Sequence, residues 1–236
     1  MTTANVLVAK KPQGKAVAAL AFRAVLLLLI AHCLFAQPPQ PRSEEERVAE
    51  LKRHVVAALR VPVGGTVADV GCGDGFYTIP LARFLGPSGK VFAVDIDDSA
   101  LSKLKQRLKE EALTNVDVVK GSEDDPRLPL DRLDAALVVN AYHEMKAHEA
   151  MLQHIRAGLK PTGVLVMMEG MSERYMTLSR EEQVEHHQFA PQVAKHEVES
   201  AGFEVIELND PFVERPVDDH DGKSRWWLLI ARKAAK

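Results

Sequence analysis

The sequence predicts an α/β fold, a doubly wound, mostly parallel sheet of seven strands, and two observations predict it. Short apolar runs alternate with segments of helical period from about residue 43 to residue 231, as strands buried on both faces and joined by crossover helices require. The first of these strands runs directly into a glycine cluster, Gly71, Gly73 and Gly75, and then into helical sequence. A doubly wound sheet makes that passage from strand to helix at its ligand-binding edge.

Each element follows from its own pattern. Val48, Leu51, Val55, Val56 and Leu59 share one helical face, and Pro62 with Gly64-Gly65 ends that helix. Val67 to Val70 is the first strand. Tyr77 to Leu85 reads as a helix, with Pro80 in its first turn and Gly86-Pro87 closing it. Val91 to Val94 is the second strand, Ser99 caps a helix bearing Leu101, Leu104 and Leu108, and Val116 to Val119 is the third strand. Asp134 to Asn140 is the fourth strand, Glu149 to Leu159 a helix, and Val164 to Met168 the fifth strand after Pro161-Thr162-Gly163. Ser179 and Glu182 have capping-box spacing, and Gln192 to Ala201 is a helix closed by Gly202. Phe203 to Leu208 and Trp226 to Ala231 are the last two strands.

Composition sets the outer bounds. The chain has 236 residues, 46% of them hydrophobic and 27% charged, which suits one globular domain rather than a disordered or polytopic membrane protein. Thirty basic against 33 acidic residues leave no positive excess for tracking nucleic-acid phosphates. Two cysteines, Cys33 and Cys72, build neither a disulfide framework nor a zinc pattern, and Cys72 reads as a small buried filler.

The N-terminus is a separate piece. Lys10, Lys11, Lys15 and Arg23 precede the apolar run Ala24 to Ala36, and Gln37-Pro38-Pro39-Gln40-Pro41 follows. That is the form of an export signal, so residues 1–36 are expected to be a cleaved signal peptide, with an uncleaved membrane anchor as the rival. Residues 37–43 are then a Pro-rich linker and 44–236 the folded domain. Either reading exports the domain to the periplasm or beyond, and a cytoplasmic location is the alternative. Membrane contact is expected only through residues 16–36, if they are retained. Without residues 1–36 the chain carries 26 basic against 33 acidic residues, a net charge of −7.

The loop after the first strand, Val67-Ala68-Asp69-Val70-Gly71-Cys72-Gly73-Asp74-Gly75, carries the chemistry. Glycine tolerates φ > 0, and its missing side chain admits a ligand to backbone N–H groups at the helix start. The spacing is G-x-G-x-G rather than the G-x-G-x-x-G of a dinucleotide site, and Asp69 and Asp74 would repel a pyrophosphate. They suit a ligand bearing an ammonium and a sulfonium. Asp95, ending the second strand, can accept hydrogen bonds from both hydroxyls of a ribose.

On these residues the segment VADVGCGDGFYTIPLARFLGPSGKVFAVDID resembles the first two motifs of the class I S-adenosylmethionine-dependent methyltransferases, of the small-molecule type, and a looser likeness extends from Arg47 to Ala231. The resemblance implies a Rossmann-like methyltransferase fold with S-adenosyl-L-methionine as cofactor. It implies that Asp69, Gly71, Gly73 and Gly75 hold the methionine portion, that Asp95 binds the ribose and that Ile96 lies against the adenine. The third motif departs from the family's Gly-Asp, reading Gly121-Ser122-Glu123-Asp124-Asp125, so Glu123 or Asp124 takes the adenine-side hydrogen bond.

After the fourth strand stand Asn140-Ala141-Tyr142-His143-Glu144. The two prolines typical of nucleic-acid amine methyltransferases are absent, which points to a small-molecule acceptor and no nucleic acid. Asn140 is expected on the cofactor side. Tyr142, His143 and Glu144 are the catalytic candidates, with His143 the first choice of base and Glu144 its alternative or orienter. The bland reading of His143 is a histidine that caps or packs the next helix. His186-His187 lies before Phe189-Ala190-Pro191, in the region that the resemblance implies can fold over the substrate, with a solvent-facing pair as the other reading, and nine histidines without ligand spacing predict no required metal. Two other functions stay open: a non-catalytic S-adenosylmethionine or nucleoside-binding protein, and an NAD-dependent oxidoreductase. The first has a motive, since an exported domain must obtain a cofactor that is made in the cytosol.

Overall fold

The computed structural model describes residues 44–214 and 225–234. The chain divides into two units, residues 1–47 and 48–236, and of the first only residues 44–47 are described. The expected signal or anchor and the Pro-rich linker lie outside the described residues. Among the described residues no helix is long and apolar enough to cross a membrane.

The elements in chain order are α1 (Glu44–Ala58), β1 (Thr66–Val70), α2 (Thr78–Leu85), β2 (Lys90–Asp95), α3 (Asp98–Glu110), β3 (Val116–Lys120), β4 (Leu133–Val139), α4 (His148–Gly158), β5 (Leu159–Met171), α5 (Arg180–Glu185), α6 (Pro191–Ser200), β6 (Phe203–Glu214) and β7 (Arg225–Lys233). Single 3-10 turns at Tyr142–Glu144 and Glu173–Tyr175 follow β4 and β5. The strands form one sheet in the order β3-β2-β1-β4-β5-β7-β6. The first five pair in parallel, while β7 runs antiparallel to both β5 and β6.

Strand alternation sends neighbouring side chains to opposite faces of this sheet. Val67, Ala135, Leu137, Val166, Leu228 and Ile230 meet Val55, Val56, Leu81 and Leu85 of α1 and α2 on one face. Ala68, Ala136, Val138, Met167 and Leu229 meet Met151, Ile155, Ala194 and Val198 of α4 and α6 on the other. Each fully buried Leu or Ile contributes about 1.5–3 kcal/mol. Helix α3 packs Leu101, Leu104 and Leu108 against Ala93, Ile79 and Cys72.

Two local expectations change, in the cap of α3 and in the lengths of the last three strands. The cap of α3 is Asp97, whose side chain accepts from the Ser99 N–H; Ser99 itself lies in the first turn. Strands β5, β6 and β7 each outrun their apolar cores, because ladder pairing continues through polar positions such as Glu207 and Asn209 opposite β7. The capping box of Ser179 and Glu182 is present on a helix of only 6 residues. Of the adjacent tryptophans, Trp227 is wholly buried, its indole N–H donating to the Phe189 carbonyl at 2.7 Å, and Trp226 is half-buried.

The strand order reverses between β1 and β4. The chain winds outward through β2 and β3 on one side, then returns to start the other half at β4. Loops leaving the carboxyl ends of these two strands diverge, and the crevice between them is where such a sheet binds its ligand.

Candidate functional site

A cavity of about 440 Å³ opens at that crevice. Its walls come from the ends of β1 (Gly71, Gly73) and β2 (Asp95, Ile96), the loop after β3 (Ser122, Glu123) and the loop after β4 (Asn140, Ala141, Glu144). Met145, Lys146 and Met151 complete the β4 side.

The two outer glycines of the β1 loop do structural work, and the middle one faces the cavity. A Cβ at Gly71 would stand 2.4 Å from the Ala141 Cβ, and one at Gly75 would stand 2.5 Å from Leu104 Cδ1, so these positions let the loop close on β4's loop and on α3. All three glycines have positive φ. A Cβ at Gly73 would meet nothing within 4 Å, and that open space belongs to the cavity. The Gly73 N–H donates to Asp95 Oδ2 at 2.8 Å, and the Asp97 N–H donates to Asp95 Oδ1 at 2.9 Å. Each carboxylate oxygen keeps a lone-pair site for a further donor.

The sequence-predicted residues therefore divide. Gly71, Gly73, Asp95, Ile96, Glu123, Asn140 and Glu144 line the cavity. Asp69, Gly75, Asp124, Tyr142 and His143 do not. Asp69 is buried and accepts the Thr78 hydroxyl at 2.6 Å, tying β1 to the first turn of α2. Burial pushes its carboxyl up to about 6; the Thr78 hydrogen bond opposes that shift, and the charge of Asp95 adds to it. Asp124 turns outward, takes the Ser122 hydroxyl at 2.8 Å and is held below the usual carboxylate range by that bond, leaving Glu123 as the acid on the cavity wall. Cys72 is buried, and desolvation raises its thiol far above the ordinary range, consistent with a filler.

Tyr142 changes most. As a substrate-contacting residue it should face the cavity, but its ring is wholly buried in the core against Phe189, and its hydroxyl donates to Glu197 at 2.8 Å. The 3-10 turn after β4 rotates successive side chains by about 120°, so Tyr142 points inward while Glu144 points out. His143, also buried, lies between them. Its Nδ1 is 2.9 Å from Glu169 Oε2, and Glu169 Oε1 accepts the Tyr142 N–H at 2.7 Å. The Nε2 edge faces Glu144 Oε1 at 3.8 Å, and the His187 ring stands edge-on with centroids 5.7 Å apart.

Sequence reading missed Glu169 altogether and missed that His187 meets His143 and Glu144. Glu169 had a signal: a lone acid near the end of the apolar strand Val164-Leu165-Val166-Met167-Met168 is a buried charge in need of a partner. His187 was legible only as one of an adjacent pair, and no spacing joins it to Glu144, 43 positions away along the chain.

The lining fits the implied cofactor. Asp95, Glu123 and Glu144 outnumber Lys146, so the cavity is net negative and suits a sulfonium. Ile96 is 53% exposed beside Asp95, an apolar surface against which a base can lie.

Comparison with known proteins agrees with this geometry. Residues 67–163 match a family model described as a methyltransferase domain. The demethylmenaquinone methyltransferase of Geobacillus stearothermophilus is 27% identical over 118 residues, 50% of either chain, so the chain spans about half the length of the curated relatives it matches. A SAM dependent methyltransferase from Aquifex aeolicus shares the fold with a TM-score of 0.63 at 22% identity, over 80% of this chain and 98% of its own. The [4+2]-cyclase SpnF does so with a TM-score of 0.69 at 17% identity, over 85% and 86%, a reminder that the sheet alone does not choose the reaction. The matched segment, together with the sheet that carries it, makes the chain similar to the S-adenosylmethionine-dependent methyltransferases.

Proposed function

We propose that the protein transfers a methyl group from S-adenosylmethionine to a small-molecule acceptor. The observation that carries this reading is the net-negative cavity at the strand-order reversal, open at Gly73 and closed on one side by Asp95. When bound, the cofactor supplies the reactive methyl and its leaving group. The chain's own residues bind and orient. Asp95 receives the ribose hydroxyls, Ile96 and Glu123 meet the base, and the Gly71–Gly73 backbone faces the amino-acid end. Asn140, in a left-handed conformation at φ 50°, turns the chain from β4 into the acceptor side. Glu144 is the carboxylate exposed to an acceptor there, with His143 behind it as the second group able to take up a proton. The acidic balance and the names of the curated relatives support an acceptor of the small-molecule class.

Calorimetric titration with S-adenosylmethionine and S-adenosylhomocysteine tests this. Micromolar binding is expected, weakened by about 1–3 kcal/mol, roughly tenfold to a hundredfold, in Asp95→Ala. Failure to bind either ligand overturns the proposal, and binding of NADH instead would establish a nicotinamide enzyme.

We also infer export of the domain, on the basic and then apolar sequence of residues 1–36. Cell fractionation with N-terminal sequencing tests it; a cytosolic protein retaining residues 1–36 overturns it.

A further inference from the structure

We propose that His143, Glu144 and His187 form a binding site for a divalent transition-metal ion of the zinc class at the acceptor end of the cavity. One ligand atom from each lies within 4.8 Å of the others, two imidazole nitrogens and a carboxylate oxygen. That donor set is the one such ions prefer, and three protein ligands leave a coordination position open. Glu144 lines the cavity, so an ion held by this set would stand at the cavity's edge.

The hydrogen bonding behind the site supports this. Glu169 is wholly buried, and its carboxylate can only accept. It takes the Tyr142 N–H on Oε1 and so receives the His143 Nδ1 hydrogen on Oε2. The Nε2 of His143 is then a lone pair, aimed at a second acceptor, Glu144 Oε1, at 3.8 Å. Two acceptors facing each other repel unless a cation or a proton lies between them. A carboxylate holding the far nitrogen of a histidine is also the arrangement that orients metal-binding imidazoles.

The loop that brings His187 is built rather than loose. The capping box starts α5, and the buried Gln183 donates to the Leu178 carbonyl and accepts the Ala190 N–H. His187 itself sits at φ 52°, a left-handed conformation that few side chains adopt, with its N–H donating to the Val184 carbonyl at 2.9 Å. Ligand atoms about 2.0–2.2 Å from a shared tetrahedral ion stand about 3.3–3.6 Å apart. The set must therefore draw in by roughly an ångström. Glu144 and His187 are exposed, which leaves their side chains room to turn toward the buried His143. An acceptor hydroxyl placed on the open position would lose its proton more readily, which deepens the proposed methyl transfer and rests on it; the metal site itself does not.

The test titrates Co²⁺ into the full-length protein, freed of metal with EDTA and without cofactor or acceptor, following visible absorption bands and their displacement by Zn²⁺. One Co²⁺ per chain is expected, with affinity falling at least tenfold in both His187→Ala and Glu144→Gln and unchanged in His186→Ala. Both informative substitutions are at exposed positions, so loss of the fold does not obscure them. Absence of Co²⁺ and Zn²⁺ uptake, uptake that survives in either variant, or an equal loss in His186→Ala would overturn the proposal. S-adenosylmethionine binding by the same samples is read separately, so failure of the metal site leaves the methyltransferase reading intact.

Discussion

Glu169 and His143 make a buried pair at 2.9 Å, joining the end of β5 to the turn after β4. Only the parallel register that sets Met168 beside Val139 brings them level, for they lie 26 residues apart. The pair fixes which nitrogen of His143 carries hydrogen, and so what its other edge presents to Glu144.

Exchanging Glu169 for Gln and for Ala should separate that role from simple packing. In Glu169→Ala three donors, the Tyr142 and His143 backbone N–H groups and the His143 ring N–H, lose their buried acceptor, at roughly 1–3 kcal/mol for each of the two short bonds, which urea denaturation would register. Glu169→Gln should fold better, its amide oxygen accepting the Tyr142 N–H while its NH₂ donates to His143 Nδ1. The ring hydrogen then moves to Nε2, visible as a changed ¹⁵N shift of His143. An unchanged tautomer in this variant would argue against the assigned bonding.

Two glycines of one loop should fail in different ways. Gly71→Ala forces a Cβ to 2.4 Å from Ala141 Cβ at φ 76°, and it should lower the melting temperature by several degrees. Gly73→Ala meets no protein atom, so it should cost about 1–2 kcal/mol of left-handed strain while intruding on cofactor space. Calorimetry should show loss of S-adenosylmethionine binding from a variant that is still folded.

Asp69 gives a signed pH dependence. Its carboxyl titrates near 6 in the fold against 3.8 in the open chain, so folding favours the protonated form. That contribution is complete below about pH 3.8 and is lost as pH rises through about 6. Wild type should therefore lose about 2–3 kcal/mol relative to Asp69→Asn between pH 4 and pH 7. Paired denaturation curves at several pH values would measure it, and a constant difference would contradict the assignment.

Tyr142→Phe distinguishes core from chemistry. Removing the hydroxyl deletes one bond to Glu197, which still receives the Arg180 Nε–H at 2.7 Å, so a loss of about 0.5–1.5 kcal/mol is expected. Cofactor affinity should not change. A fall in binding with unchanged stability would return Tyr142 to the cavity wall.

The elements and the cofactor loop were legible because their causes are local. The short apolar run Val67 to Val70, glycines that permit positive φ, and an acid ending the next strand all act within a few residues. The choice between Glu123 and Asp124 was not legible, because Ser122 draws Asp124 outward through a turn that the residue types alone leave open. Tyr142 was misplaced for a related reason: three successive side chains on a 3-10 turn point three ways, and the sequence does not say which way is inward.

By itself, then, the sequence determined the doubly wound sheet, its glycine loop and the strand end bearing Asp95, since periodicity and turn chemistry are short-range properties. Only the tertiary structure decided that Glu169 stands behind His143 and that His187 returns to Glu144. Those meetings depend on strand register and on the path of a loop held by Gln183, which no spacing along the chain encodes.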